Sequence, residues 1–295
     1  MNYNVVMPII YADVYLARIN IGYIFEYLMP RKIVIIGEKR LEKYFELDNI
    51  EFINEDIVCN GMTLNKIRNL VENKTHNPQR AGWYFQQFLK MSYANICNEE
   101  YYLVWDADTI PLRQITFFNG KKPYLDLKKE YNRNYFITLE KLLALKKEIK
   151  KSFVCEHMII NKYIMLELID EIEARHKVNY YEAIIDCIDE DAVNQSGFSE
   201  FETYGTFVLK KHKEAYALRN NKKSLRHGKR YLLTPSAESL EWASRSYWII
   251  SFEKSDTISP WAKTIAKNDL IKKIPLKIVV FIERVAKFMH VSDMD

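Results

Sequence analysis

Segments typical of strands alternate with segments typical of helices along the first 108 residues, and this order constrains the fold more than any other feature. Short apolar runs predict buried strands, and longer segments with apolar residues at helical spacing predict the helices between them. The predicted strands are 4–10, 32–37, 50–54 and 101–108, and the predicted helices are 12–28, 63–73 and 83–96. Strands that alternate with helices form mostly parallel sheets covered on both faces. We therefore predict an α/β fold with a mixed, mostly parallel sheet flanked by helices.

The length and apolar content of the chain allow such a fold to bury a sizeable core. The chain has 295 residues, of which 48% are hydrophobic and 14% aromatic, enough for one large domain or one domain with a small appendage. No secretory leader pattern occurs, and no run of about eighteen apolar residues is free of charge. The four cysteines are far apart and form no C-x-x-C pair, which is typical of reduced thiols. We expect a globular cytoplasmic protein without a membrane span.

Two aspartates end the fourth predicted strand, in the sequence YLVWDADTIPLR at 102–113. If the strand continues to residue 108, Asp106 and Asp108 point to the same face. Ligands of α/β sheets bind at the carboxyl ends of the strands, where both residues lie. Neighbouring carboxylates repel each other, so the pair predicts a divalent cation held against an anionic ligand such as a diphosphate. The alternative is that both aspartates only cap the following turn.

The chain has no glycine-rich phosphate loop. It contains 8 glycines and neither G-x-G-x-x-G nor G-x-x-x-x-G-K-[ST]. The basic stretch at 210–230 lacks the interleaved aromatic residues of a groove for single-stranded nucleic acid. We therefore predict that phosphates bind through a metal and that nucleic acid is not a partner.

The chain resembles the nucleotide-sugar-dependent glycosyltransferases of the GT-A fold, in particular those of bacterial capsule and lipopolysaccharide synthesis. The similarity spans about residues 3–235 and lies mainly in four segments: GWYFQQFLKM (82–91), YLVWDADTIPLR (102–113), KSFVCEHMII (151–160) and SEFETYG (199–205). The resemblance implies transfer of a sugar from a nucleotide-diphosphate donor to a hydroxyl of a growing surface glycan, whose acceptor is a glycan or a lipid-linked glycan. An inverting reaction is the expected stereochemistry.

The resemblance also implies a domain organisation. A GT-A domain would cover residues 1–240, with a nucleotide-sugar-binding half at 1–113 and an acceptor-side half at 114–240. A C-terminal helical extension would cover residues 241–295.

Roles for residues of the donor half follow from the resemblance as well. Asp106 and Asp108 would hold Mn²⁺ or Mg²⁺ against the donor diphosphate, with Asp106 also contacting the donor. In related enzymes a basic residue on the helix before D-x-D reaches the donor, which points to Lys90; a solvated surface lysine is the equal alternative. The other donor-binding candidates are Gln86, on the same helix face as Lys90, Arg80 before this helix, and Asp13 in the first helix.

Two candidates for catalysis lie in a strand predicted over 153–161. Alternation sends Glu156 and His157 to opposite faces, so at most one of them faces the site directly. A carboxylate in an apolar strand needs a partner or a function. A histidine between apolar neighbours is more often a core residue than a catalyst.

The third candidate for catalysis is Glu200, in the first turn of a helix predicted to run to about Lys211. Ser199 and Glu202 form a predicted capping box, which gives Glu202 a structural role. Glu200 has no such role, and an ionised carboxylate there could deprotonate the acceptor hydroxyl in an inverting transferase. The alternative is a surface glutamate that complements the helix dipole.

The end of the chain carries an excess of positive charge equal to the whole net charge of +4, because residues 271–290 hold five basic residues and one acidic residue. Over 271–290 the sequence predicts a basic amphipathic helix with one apolar and one basic face. The apolar face consists of Ile274, Ile278, Phe281, Ile282, Val285, Phe288 and Met289, and the basic face of Lys273, Lys277, Arg284 and Lys287. Three roles remain open: packing on the body of the protein, contact with the inner leaflet of a membrane, and contact between subunits.

Two other functions are compatible with D-x-D. A metal-dependent nucleotidyltransferase or phosphohydrolase would more often need further carboxylates or histidines around two metals. A non-catalytic glycan-binding protein would need neither a metal nor a base. The base and sugar of the donor are not specified by the sequence.

Overall fold

A computed structural model describes residues 2–221 and 223–292, without the side chains of 260–261, 266–267, 269 and 286–292. The chain divides into two compact units. Unit 1 comprises Met1–Arg18, Pro30–Ala107 and Thr116–Asn221, and unit 2 comprises Ile19–Met29, Asp108–Ile115 and Lys222–Asp295. The domain boundary predicted after residue 240 stays a prediction.

The strands and helices of the chain are numbered in sequence order. The strands are β1 Tyr3–Pro8, β2 Ile33–Gly37, β3 Ile50–Asn54, β4 Tyr101–Trp105, β5 Thr109–Pro111, β6 Phe118–Asn119, β7 Lys122–Leu127, β8 His157–Asn161, β9 Ala217–Asn220, β10 Ser224–Leu225 and β11 Ile249–Ser251. The helices are α1 Val14–Leu28, α2 Leu64–Thr75, α3 Ala81–Ser92, α4 Arg133–Leu143, α5 Lys162–His176, α6 Tyr180–Cys187, α7 Glu190–Val193, α8 Glu200–Lys211, α9 Ala237–Ser244, α10 Pro260–Lys267, α11 Asp269–Lys272 and α12 Leu276–Ser292.

The main sheet of unit 1 has the strand order β3-β2-β1-β4-β8. β1 to β4 are parallel, and β8 runs antiparallel to β4. β1, β2 and β8 are buried along their whole length, which explains why their apolar runs are not interrupted by alternating polar residues. The predicted mixed α/β fold with a mostly parallel sheet flanked by helices is confirmed.

Each unit also contains a small three-stranded sheet. In unit 1, β7 pairs antiparallel with β6 and parallel with β9. In unit 2, β11 lies between β10, which is parallel to it, and β5, which is antiparallel.

Two strands differ from their predicted limits by more than two residues. The prediction that the fourth strand continues to residue 108 is wrong: β4 ends at Trp105, a turn follows at Ala107 and Asp108, and β5 pairs with β11 in another sheet. The strand predicted from residue 153 begins only at His157, because Glu156 has a left-handed φ of 60° that interrupts extended backbone. The alternation arguments for the side chains at both places therefore do not apply.

The C-terminal amphipathic segment forms α11 and α12, with Pro275 immediately before the first turn of α12. The side of α12 that is buried carries Leu276, Val280 and Glu283. The predicted apolar face is instead exposed, at Ile274, Ile278, Phe281, Ile282 and Val285. Phe288, Met289 and Lys287 have side chains outside the described part of the chain. Within that part, none of the helices has both the length and the apolar character needed to cross a bilayer.

Candidate functional site

The order of the central sheet reverses between β1 and β4. The chain adds β2 and β3 on one side of β1 and then places β4 on the other side. In open α/β sheets, ligands bind in the crevice at the carboxyl ends of the two strands that flank such a reversal. β1 leads there into the exposed Tyr11, and β4 leads into Asp106.

Asp106 is held through both its backbone and its side chain. Its N–H donates to the carbonyl oxygen of Glu156 at 3.1 Å. Its Oδ1 accepts from Lys90 Nζ at 2.7 Å, and the side chain is 26% exposed. The carboxylate is therefore fixed just after β4 but remains partly open to solvent.

Lys90 lies on α3, which contacts β1 and α8, and it is only 4% exposed. Besides Asp106, it donates to Glu200 Oε1 at 2.8 Å. Burial alone would lower the pKa of Lys90, but the attraction of Asp106 and Glu200 outweighs burial and raises it. Lys90 is a charged, buried lysine, and the solvated-lysine alternative is wrong.

Glu200 begins α8 and is 4% exposed. Its N–H donates to Gln87 Oε1 at 3.1 Å, and its carboxylate accepts from Lys90. Burial raises the pKa of Glu200, and the Lys90 charge offsets this only in part. The charge of the neighbouring Asp106, with which Glu200 shares Lys90, adds to the effect of burial. The alternative of a surface glutamate that complements the helix dipole is wrong.

Glu202 has a structural role that differs in part from the predicted capping box. Ser199 Oγ accepts from the N–H of Glu202 at 3.3 Å, as a capping residue should. The Glu202 carboxylate, however, accepts from the N–H of Phe153 at 3.3 Å. It therefore joins the start of α8 to the segment before β8.

Glu156 is a buried glutamate with a left-handed backbone. Its carboxylate forms an ion pair with Lys128, and its carbonyl oxygen accepts from Asp106. A glutamate in this conformation is strained, and strain of this kind is often found at functional sites. Glu156 matters for the candidate site because its carbonyl oxygen accepts a hydrogen bond from the backbone N–H of Asp106.

His157 lies in the core beneath the end of the sheet. Its Nε2 is 2.8 Å from Asp126 Oδ2, and its ring stacks on Trp105 with centroids 5.1 Å apart. Asp126 also accepts two hydrogen bonds from Arg219. Burial would raise the pKa of Asp126, but these donors lower it to about 2. This environment matches the core interpretation of His157.

The remaining donor-binding candidates have local structural contacts. Gln86 Nε2 is 3.5 Å from the carbonyl oxygen of Pro8, at the carboxyl end of β1. Asp13 Oδ2 accepts from the N–H of Ile10 at 3.0 Å and closes the turn after β1. Arg80 donates to the carbonyl oxygen of Gln195 at 2.6 Å and to a serine hydroxyl next to it. Gln86 and Asp13 thus lie near the end of β1, whereas Arg80 binds a loop.

Asp108 belongs to unit 2, whereas Asp106 belongs to unit 1. Asp108 Oδ1 accepts from Thr109 Oγ1 at 3.3 Å, and its carbonyl oxygen accepts from the N–H of Phe252 at 2.8 Å. Unit 2 also brings together His227, Glu253 and Asp256, three residues that the sequence did not single out. They are separated by up to 29 positions and form no compact motif, so no pattern in the sequence indicated them.

The Lys90, Asp106 and Glu200 side chains form what we call the Asp106 cluster. It contains two carboxylates and one ammonium group, so it is one positive charge short of balance when both carboxylates are ionised. Sites of this kind attract a cation or hold a proton. The cluster lies at the sheet edge where α/β proteins bind ligands.

Comparisons with known proteins concern the structure, the sequence and a family model. The structure is similar to the crystal structure of mouse xyloside xylosyltransferase 1 in its apo form, with a TM-score of 0.45 and 12% sequence identity, over 88% of this chain and 100% of that one. No curated protein matches the sequence. A family model described as a family of unknown function (DUF6492) matches residues 30–266. The chain therefore belongs to the DUF6492 family.

Proposed function

We propose that this protein is a glycosyltransferase that takes a sugar from a nucleotide-diphosphate donor and transfers it to a hydroxyl group of a bacterial surface glycan, in capsule or lipopolysaccharide synthesis. The observation that carries the proposal is the position of Asp106, fixed by Lys90 at the end of β4 beside the reversal of strand order. The donor would lie along this edge, with its diphosphate near Asp106.

Mn²⁺ or Mg²⁺ is the cofactor of the proposed reaction, and the residues present fit it. The Asp106 cluster lacks one positive charge, and the Asp106 carboxylate is partly open to solvent. Asp106 and Asp108 would hold the cation, which would stabilise the charge that develops on the departing diphosphate. Lys90 keeps Asp106 in place and contributes positive charge to the same edge.

The nucleotide would contact the carboxyl end of β1. Tyr11 follows this strand, is 64% exposed, and packs edge-to-face against Tyr44 with ring centroids 6.3 Å apart. The exposed Tyr11 ring, supported by Tyr44, offers a surface on which a nucleobase can stack. Gln86 and Asp13 are the polar groups at the same end of β1.

Glu200 is the proposed general base of an inverting reaction. Its raised pKa brings it toward the range in which a carboxylate accepts a proton efficiently. In this proposal the acceptor hydroxyl would approach Glu200 beside Lys90, with which the carboxylate pairs. Glu156 and His157 remain proposed catalytic residues of second rank, since both are engaged in buried pairs.

Metal-dependent binding of a nucleoside diphosphate tests the proposal. A panel of nucleoside diphosphates and nucleotide sugars, with and without Mn²⁺, should raise the unfolding midpoint only when the metal is present. Asp106→Asn and Asp108→Asn should abolish the rise without unfolding the protein, because they keep the side-chain shape and remove the charge. The exposed Asp48→Asn is the matched control. Equal midpoint shifts with and without metal would contradict the proposal.

Product analysis separates transfer from the two rival functions. A transferase forms a new glycoside with the acceptor, whereas a phosphohydrolase or nucleotidyltransferase leaves the sugar bond intact. A glycan-binding protein would bind the acceptor and release no nucleoside diphosphate. NMR of the anomeric proton of the product would also distinguish inversion from retention.

We further propose that the enzyme is cytoplasmic and that α12 contacts the inner face of the cell membrane, where lipid-linked acceptors would be reached. The exposed apolar residues Ile278, Phe281 and Ile282 are adjacent to the exposed Lys277 and Arg284. A helix that presents apolar and basic side chains together binds anionic lipid surfaces.

Vesicle sedimentation tests the membrane proposal. The protein should sediment with vesicles that contain phosphatidylserine and much less with neutral phosphatidylcholine vesicles. Phe281→Asp and Lys277→Glu should each weaken sedimentation, whereas Ile57→Asp, at another exposed apolar side chain, should not. Equal sedimentation of Phe281→Asp and the unmodified protein would contradict a role for α12.

A further inference from the structure

Unit 2 contains a side-chain cluster that the proposed reaction does not use. His227 pairs with Phe252 across the end of the small sheet, and Glu253 follows Phe252. The N–H of Asp256 donates to the carbonyl oxygen of Glu253 at 3.2 Å, which closes a turn that carries both carboxylates. One ligand atom from each of His227, Glu253 and Asp256 lies within 4.8 Å of the other two.

The Asp256 carboxylate provides an independent indication of a ligand. Its side chain is only 2% exposed. Oδ1 is 2.7 Å from His227 Nδ1, whereas Oδ2 is buried and has no hydrogen-bond partner among the described residues. A buried carboxylate oxygen without a partner is costly in free energy, and a cation at the cluster would satisfy it.

We propose that His227, Glu253 and Asp256 bind a divalent transition-metal cation such as Zn²⁺. One imidazole nitrogen and two carboxylate oxygens form a ligand set typical of this class, whereas Mg²⁺ and Ca²⁺ prefer oxygen ligands alone. The cation would bind His227 Nδ1 and the Asp256 carboxylate, including Oδ2, which is unpartnered among the described residues, and would displace the proton that Nδ1 and Oδ1 share. Glu253 is also paired with Arg226, which limits the negative charge of the site.

The role of this cation is structural. It would join the segment after β10, which carries His227, to the turn after β11, which carries Glu253 and Asp256. A metal that binds only the folded state raises the free energy of unfolding. Asp108 lies near this cluster, because its carbonyl oxygen accepts from the N–H of Phe252, the residue before Glu253. The test must therefore distinguish zinc binding at the cluster from metal binding at D-x-D.

Zinc titration of the chelator-treated, full-length protein tests the proposal without any nucleotide. Calorimetry should give one saturable zinc equivalent and the unfolding midpoint should rise by several degrees. His227→Gln and Glu253→Gln should each weaken zinc binding at least about tenfold, since each removes one ligand. His227 has a side chain that is 55% exposed, so its replacement should leave the fold intact.

His212→Ala and Asp108→Asn are the matched controls. His212 pairs with the single carboxylate of Glu167 at 2.7 Å in unit 1, so its loss should leave the zinc equivalent unchanged. Asp108→Asn should also retain it. Loss of the equivalent in Asp108→Asn, or unchanged binding in His227→Gln and Glu253→Gln, would overturn the proposal. Because no nucleotide is used, these outcomes are independent of whether the protein transfers sugar.

Discussion

Two of the buried charged clusters of unit 1 differ in their balance of charge. In the Asp106 cluster one ammonium group lies between two carboxylates, whereas Asp126 is one carboxylate between the Arg219 guanidinium and the His157 imidazole. The pKa of Glu200 is accordingly raised, with burial as the largest cause, and the pKa of Asp126 is lowered to about 2 against the effect of burial. Of the two, only the Asp106 cluster has more carboxylates than cationic groups.

The difference separates a cluster suited to ligand binding from one suited to stability. Asp126 has its donors within the protein and is 5% exposed at its side chain. Asp106 is more exposed and lies at the edge of the sheet where α/β proteins generally bind ligands. A cation or a proton supplied from outside is needed to complete the Asp106 cluster, and nothing of the kind is needed at Asp126.

Removing the lysine should produce the largest effect. Lys90→Met leaves Asp106 and Glu200 without their buried partner, and we expect the free energy of unfolding to fall by about 3–5 kcal/mol. Urea denaturation measures this loss. The matched control is Lys146→Met, at an exposed lysine 3.2 Å from Glu140, where a change below about 1 kcal/mol is expected. Equal stability of both variants would show that Lys90 does not balance the cluster.

Neutralising Glu200 should affect turnover rather than donor binding. Glu200→Gln keeps an oxygen that can accept from Lys90 but cannot take a proton, so we expect turnover to fall roughly 10²–10⁴-fold with donor affinity near that of the unmodified protein. Steady-state kinetics with a titration of donor binding measures both quantities.

Glu202→Gln is the matched control for Glu200, because it lies on the same turn of α8 and is also buried. Little change in its turnover is expected. If Glu200→Gln retains activity and Glu156→Gln loses it, the base is Glu156. If neither change matters but Asp108→Asn abolishes activity, a retaining mechanism would apply, in which the departing phosphate receives the proton.

The free energy of unfolding measured at acid pH should show the effect of the lowered pKa of Asp126. A carboxylate with a lowered pKa in the folded state contributes stability above its unfolded pKa of 3.8 and loses it as the pH falls toward about 2. This shift corresponds to about 2 kcal/mol. The stability difference between the unmodified protein and Asp126→Asn should shrink by about this amount between pH 5 and pH 2. A constant difference over this range would contradict the assignment.

Glu200 should show the opposite sign. Its raised pKa means that the folded protein binds a proton more readily than the unfolded chain, so this residue favours folding less as the pH rises from the unfolded pKa to the folded one. Glu200→Gln should flatten that part of the pH profile.

The sequence predicted the central strands well because their signal is local. β1, β2 and β3 agree with the predicted strands to within about two residues, since uninterrupted apolar runs are typical of strands buried on both faces. The end of β4 could not be predicted, because it depends on β5 pairing with β11, about 140 residues further along the chain. The Lys90 contact with Glu200 is likewise between residues 110 positions apart.

The conformation of Glu156 was also beyond the sequence, since glutamate has no preference for left-handed backbone. Glycine or asparagine at this position would have signalled a turn. The exposed apolar face of α12 is a third example: its period predicted the helix but not which face the protein buries. Glu283 on the buried face is paired with Arg230, and that partner is distant in sequence.

The smallest predicted effect concerns the strained backbone at Glu156, whose carbonyl oxygen fixes Asp106. Two variants at this position distinguish the cost of the left-handed backbone from the loss of the side-chain ion pair. Glu156→Ala and Glu156→Gly both remove the carboxylate that pairs with Lys128, but only glycine adopts a φ of 60° without strain. We therefore expect Glu156→Gly to be more stable than Glu156→Ala by about 1 kcal/mol in urea denaturation. Equal stability of the two would show that the left-handed conformation costs nothing. A more stable alanine variant would mean that the backbone at residue 156 is not left-handed in solution, and the bond between its carbonyl and Asp106 would then lose its structural basis.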